Sequence, residues 1–246
     1  MTVPFPQLSQ TNAIKLLTLD VTDYTILYLD MTIIFWLLAF AVAITIHEAA
    51  HAWMADRLGD PTPRLTGRLS LNPIVHYDPV GTTLLLILVI LRSMGVPVIP
   101  FGWAKPVVFD PYNLANPRRD TALISLAGPS ANIILAIVLS LVLRIGFSPL
   151  SPLNFLTGIF YPLIILNIAL AVFNLIPTHP LDGGKILVGL LPQKEARTVD
   201  LFLSRYGILV LFFLIFPVGG ISFLNLFVAP LISLIIKLLI PGGQIV

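Results

Sequence analysis

An all-α polytopic membrane protein with about five transmembrane helices is what this sequence predicts, and three observations predict it. Hydrophobic residues fill 57% of its 246 positions. Charged residues make up 11%, too few to cover a water-facing surface, since ordinary soluble domains carry about 25%. The mean hydropathy is +0.96, and the apolar residues gather into stretches of roughly 20, the length that crosses a hydrocarbon core about 30 Å thick. On that length about five spans fit, within a range of four to six, together with a short re-entrant or extended membrane-associated segment.

Residues 1–30 read as a polar or interfacial N-terminal segment. They lack the basic start of a cleaved signal peptide, and Pro4, Pro6, Lys15 and Asp20 interrupt any apolar run. Residues 31–58 form one long helix, apolar as far as Ile46. Asp56, Arg57 and Gly59 mark its exit, and Pro61 and Pro63 follow. The stretch 80–100 is apolar, but Arg92, Gly95, Pro97 and Pro100 break its later half. Residues 101–119 carry prolines and are expected to be extended or looped. Residues 121–147 and 158–176 are two more spans, the second stopped by Pro177. An amphipathic stretch holding Lys194, Glu195 and Arg197 comes next, and 206–240 has room for one or two spans with a turn at 217–220. The chain thus divides into the N-terminal segment 1–30, a core of 31–192, and C-terminal helices over 193–246.

The net charge of +2 and the lack of a basic stripe argue against nucleic acid as a partner. With no cysteine there is neither a disulfide framework nor a thiolate metal site. Any metal must rest on His, Asp or Glu, from a short supply of four His, two Glu and ten Asp.

Two of those His and one Glu stand together in His47-Glu48-Ala49-Ala50-His51, an H-E-x-x-H pattern. Residues four apart share a helix face, so both imidazoles reach one zinc ion, while Glu48 sits beside them as a general base for water. Polar residues lining a pore or packing against other helices would be the bland explanation. Two His and a Glu inside an apolar helix are costly in lipid, however, and mark function by default. Catalytic zinc usually takes three protein ligands. Asp182 follows directly on a span and precedes two glycines, whereas D-G is also a common turn signal. His179, three residues earlier, is an equal rival on spacing alone.

The chain also carries GRLSLNPIVHYDPVG at 67–81, GWAKPV at 102–107, AGPSAN at 127–132 and FNLIPTHPLDGGKIL at 173–187. With HEAAH, in this order, these stretches resemble the site-2 protease family of intramembrane zinc metalloproteases over about residues 33–190. The resemblance implies one zinc ion per chain, held by His47, His51 and Asp182, with Glu48 catalytic. It further implies that Gly128, Asn132 and Asn174 lie near the substrate, with Asn132 or Asn174 bonding the oxyanion or the substrate backbone. The implied partners are a transmembrane protein substrate and the lipid bilayer; self-association is left open. Many relatives have an apolar residue where His179 stands, and this chain has no room for the PDZ or CBS domains some members carry. It looks like a minimal core.

Depth sets the topology. His47 lies about 16 residues into its helix, roughly 24 Å at 1.5 Å per residue and past the middle of the membrane core. Asp182 lies at the far end of its own span, so the two helices must run the same way if the residues meet. The single span 121–147 between them achieves that. Stretch 80–100 is therefore expected to enter and leave on one side, or to lie in the interface. Arg57, Arg64 and Arg68 then share a side with Lys105, Arg118 and Arg119, which the positive-inside rule makes cytoplasmic. A multi-pass protein of the cell membrane, its site toward the cytoplasmic half, is the expectation. The competing class is a channel or transporter using its intramembrane His and Glu for ions or protons.

Overall fold

A computed structural model describes residues 21–94, 96, 102–146, 156–216 and 222–240. Its elements in order are α1 (Val21–Arg57), the short turns α2 (Thr62–Leu65) and α3 (Pro73–His76), α4 (Pro79–Ser93), a 3-10 turn (Pro111–Asn113), α5 (Pro117–Gly146), α6 (Thr157–Asn174), α7 (Asp182–Leu190), α8 (Gln193–Ile215), a π turn (Leu224–Val228) and α9 (Ala229–Leu239). No strand occurs among the described residues. Among the described residues four helices are long and apolar enough to cross a membrane: Ile33–Arg57 within α1, Pro117–Ile145 within α5, α6 and α8. Two shorter apolar helices, Pro79–Leu91 and Leu224–Leu239, accompany them.

Helices α1, α5 and α6 pack on one another, with α7 laid against α5. Close approach comes from small residues. Ala39, Ala43, Ala52 and Ala55 of α1 are at most 1% exposed, and in lipid, helices associate through such packing and not through exclusion of water. Outward, α5 shows Ile134, Ile137, Val138, Leu141 and Val142, the lipid-facing counterpart of a soluble protein's polar surface. A second apolar cluster joins Ala136 of α5 and Ile164 and Ile168 of α6 to Val228 and Ile236 near the C-terminus.

Three readings shift. Residues 21–30 are already helical and extend α1 back from its expected start at 31; residues 1–20 lie outside the described part. The amphipathic stretch at Lys194 is the first turn of α8, continuous through Tyr206 to Ile215. No proline stands between 193 and 215 and the isolated Gly207 is tolerated, so the polar start and the apolar body form one helix. Asp182 opens a helix of its own and is not the tail of the preceding span. The turn expected at 217–220 falls outside the described residues.

Helix α4 holds 15 residues, about 22 Å of rise, short of the roughly 30 Å core. The chain then returns to where it began: a Cβ on Gly102 would meet the backbone of Gly81 and the Cβ of Leu85. Just outside, the Lys105 N–H donates to the His76 carbonyl (2.9 Å). The two ends of the segment lie together, the arrangement expected of a stretch that enters and leaves on one side or lies in the interface. Because the chain has no cysteine, Arg64→Cys and Arg118→Cys give clean single-label variants. Both are expected to react with an impermeant maleimide from the same side of sealed vesicles. Labelling from opposite sides would refute the re-entrant topology.

Candidate metal centre

The alanine stripe of α1 passes at every fourth residue through Ala39, Ala43, His47, His51 and Ala55, all buried. The two imidazoles therefore face α5 and α6, one helical turn apart, with ring centroids 4.6 Å apart and nearly perpendicular planes. Their room is made by Gly128 of α5. A Cβ there would fall on Nε2 and Cε1 of His51 and on Cε1 of His47, so no larger residue fits without moving both rings.

Each ring is fixed through Nδ1. His47 Nδ1–H donates to Asn132 Oδ1 (2.6 Å), and His51 Nδ1–H donates to the carbonyl of Ile124 (2.7 Å). Both partners are carbonyl oxygens, which only accept, so the proton sits on Nδ1 and the Nε2 lone pair is left free. Both Nε2 atoms point at Asp182 Oδ2, each at 3.1 Å. Three lone pairs thus converge, an arrangement that calls for a cation between them. Zinc with ligands at 2.0–2.2 Å in a tetrahedron sets neighbouring ligand atoms ~3.3 Å apart, and the observed spacing fits. Among the described residues these three form a group able to hold a metal, with ligand atoms all within 4.8 Å of one another.

Which residue supplies the third donor was undecided on spacing, and the fold separates the rivals. His179, joined to Pro180 by a cis bond, turns its Nε2 to Asp200 of α8 (3.1 Å). Asp182 reaches the imidazoles because the backbone at Gly183 lies against the carbonyls of Leu175 and Ile176, where a Cβ would collide.

Asn132 departs from expectation. It is fully buried, and its amide is consumed: Oδ1 accepts from His47, while Nδ2 donates to the Ala43 carbonyl (2.9 Å) and to Asn167 Oδ1 (2.6 Å). Nothing remains with which to bond an oxyanion. Its place is behind the ligand, orienting His47, the kind of outer contact that fixes tautomer and ring in metal sites. Asn167, whose Nδ2 donates to the Leu163 carbonyl (2.7 Å), was missed. The available signal was an amide in the middle of an apolar helix, seven residues before Asn174 and hence on the same face.

Asn174 does line a cavity of about 130 Å³, together with His47, Glu48, His51, Ser125, Asp182 and Lys185. Its Nδ2 donates to the Leu170 carbonyl (3.0 Å), leaving the carbonyl oxygen and one N–H. Pro106, Val107 and Phe109 of the extended segment wall the other side. There the Val107 N–H donates to Glu48 Oε2 (3.0 Å), a contact across 59 residues that sequence reading did not find. His76 is not at the cavity. It closes α3, 1% exposed, with Nε2 against the Ser70 carbonyl (2.8 Å). The Arg92 side chain lies outside the described part.

The extended segment is pinned by Asp60, which is fully buried just past α1. Its carboxylate accepts from the Asp110 N–H (2.7 Å), the Asn113 amide (2.8 Å), the Thr62 hydroxyl (2.6 Å) and the Thr62 N–H (3.1 Å). Burial alone would push its pKa up; the hydrogen bonds outweigh burial and hold it below the ordinary 3.8. A depressed carboxylate contributes stability that is complete above the unfolded value and lost as pH falls through the folded one. Wild-type thermal stability in detergent is therefore expected to drop from pH 5 toward pH 3. Asp60→Asn should lose about 2 kcal/mol at pH 7 and lack that acid slope. Parallel pH profiles for the two proteins would show that Asp60 is not the anchor.

An α-helical bundle of membrane length, holding two histidines of an H-E-x-x-H turn against a distant aspartate with a glutamate beside them, defines an integral-membrane zinc metalloprotease. Comparison with known proteins gives the family: the model for peptidase family M50 matches residues 35–155 and 150–218, and the chain belongs to it. It is 37% identical to YwhC of Bacillus subtilis (strain 168) over 208 residues, which are 82% of this chain and 84% of that protein. It is 31% identical to Rip2 of Mycolicibacterium smegmatis over 58% of this chain and 51% of the relative. With MJ0392 of Methanocaldococcus jannaschii the identity is 26%, over 65% and 36% of the two chains. All three carry zinc metalloprotease names. No solved structure matches the chain.

Proposed function

We propose that this protease cleaves peptide bonds within or near transmembrane segments of membrane-protein substrates, as in regulated intramembrane proteolysis. The observation that carries the reading is where the ligands sit. His47 and His51 lie inside a helix long and apolar enough to span, buried against two others, so the hydrolytic centre is within the bilayer's depth. The basic residues flanking the re-entrant segment support a cell-membrane protein with its site toward the cytoplasmic half.

His47, His51 and Asp182 hold the metal. When bound there, zinc supplies Lewis-acid polarisation of a carbonyl oxygen and of water. Glu48 takes the proton of the attacking water and passes it to the nitrogen of the departing amine. The Val107 N–H fixes one carboxylate oxygen of Glu48 and leaves the other for that proton. Asn132 and, through it, Asn167 keep Nε2 of His47 aimed at the metal. Asn174 faces the peptide.

The extended segment 102–109, whose Pro106, Val107 and Phe109 wall the cavity, can pair with the peptide as an added strand. To test the reading, purified protein is reconstituted with a single-span membrane protein and the products are mapped by mass spectrometry. Zinc-dependent cuts inside the apolar span are expected. Cuts confined to water-exposed loops, or to soluble proteins, would refute it.

A further inference from the structure

Helix α5 presents Ser125, Gly128 and Asn132 at spacings of three and four, so the three share the face that meets the imidazoles. Gly128 makes room for the rings and Asn132 orients one of them. Ser125 is the remaining member, one residue past the carbonyl that holds His51. It is 1% exposed and lines the catalytic cavity, yet its hydroxyl has no hydrogen-bond partner. That is unusual for a helical serine in an apolar setting, which commonly donates back to the carbonyl four residues earlier. Ser140, in the same helix and equally buried, does so toward Ala136 (2.7 Å). A buried hydroxyl left unpaired costs stability and points to a partner that arrives later.

The hydrogen-bonding inventory of the cavity says what that partner is. Glu48, Asp182 and the two Nε2 atoms all offer lone pairs, and the Val107 N–H is taken by Glu48. Side-chain donors of the lining residues with no hydrogen-bond acceptor are the Lys185 ammonium, which lies over the Phe109 ring, one N–H of Asn174 and the Ser125 hydroxyl. A peptide held against a metal presents carbonyl oxygens, which require donors, most of all as charge develops on them. We infer that the Ser125 hydroxyl is a substrate-binding donor, hydrogen-bonding a backbone carbonyl oxygen of the peptide segment held in the cavity. This rests on the protease reading above and adds a residue to it.

Ser125→Ala separates this role from packing, because the methyl fills the same space and removes an unpaired polar group. Zinc-loaded wild type, Ser125→Ala and the control Ser140→Ala are compared by zinc content, Tm in detergent, affinity for a peptidyl hydroxamate, and cleavage. For Ser125→Ala, zinc content is expected to be unchanged and Tm equal or higher. Hydroxamate affinity should fall about tenfold and kcat/KM by roughly 10–100-fold. Ser140→Ala should lose Tm and keep both affinity and rate. Wild-type affinity and rate in Ser125→Ala would overturn the inference, and so would a lowered Tm, since the hydroxyl would then have a partner in the fold. Should the wild type cut no transmembrane segment, the protease reading fails by itself, while hydroxamate affinity still decides the role of Ser125.

Discussion

Glu48→Gln is expected to bind zinc as the wild type does and to cleave roughly 10²–10⁴-fold more slowly, the range that a positioned general base contributes. Glutamine has the same shape, and its carbonyl oxygen can still accept the Val107 N–H that now meets Glu48 Oε2 at 3.0 Å. The three ligand atoms do not involve Glu48, so the metal stays. What disappears is a group able to take a proton from water and return it to the amine. Zinc analysis and single-turnover cleavage of a membrane substrate on the same preparation provide the check. Undiminished proteolysis would end the proposed mechanism, and loss of zinc would show that Glu48 is itself a ligand.

Asp182→Ala is expected to strip the centre. Its Oδ2 lies 3.1 Å from both Nε2 atoms, and His179 cannot replace it while held by Asp200. Two imidazoles alone make a poor zinc site, because catalytic zinc takes three protein ligands. The purified variant should therefore carry far less than one zinc per chain and have no measurable cleavage. Asn132→Ala is the informative comparison. It removes an outer contact to His47 and should weaken zinc by roughly 10–100-fold, clearly less than loss of the ligand. Stoichiometric, tightly bound zinc in Asp182→Ala would show that another residue completes the site.

Much of this centre was legible in the chain because its spacing is local. His47 and His51 meet on one face as a consequence of 3.6 residues per turn, and Glu48 travels with them. The spans were legible for a similar reason, since membrane thickness converts directly into a count of apolar residues. That α4 is too short to span agrees with requiring His47 and Asp182 to lie at one depth with a single span between them.

The remaining features lie between elements distant in sequence. On spacing alone Asp182 and His179 were equal candidates; the turn against Leu175 and Ile176 points one at the imidazoles, and α8 captures the other. Asn132 was read as facing substrate, whereas three buried hydrogen bonds place it behind His47. The Val107 contact to Glu48 and the unpaired hydroxyl of Ser125 have no signature in any short window.

By itself, then, the sequence determined the helical membrane class and the H-E-x-x-H pair with its base, because backbone periodicity and the cost of burying charge in lipid act over a few turns. Only the tertiary structure shows how Asp182 reaches the imidazoles while His179 turns to Asp200, which amide orients His47 and which lines the cavity, and what holds Glu48. Those choices depend on how α1, α5, α6 and the extended segment pack at side-chain distance, where a shift of one ångström makes or breaks a hydrogen bond.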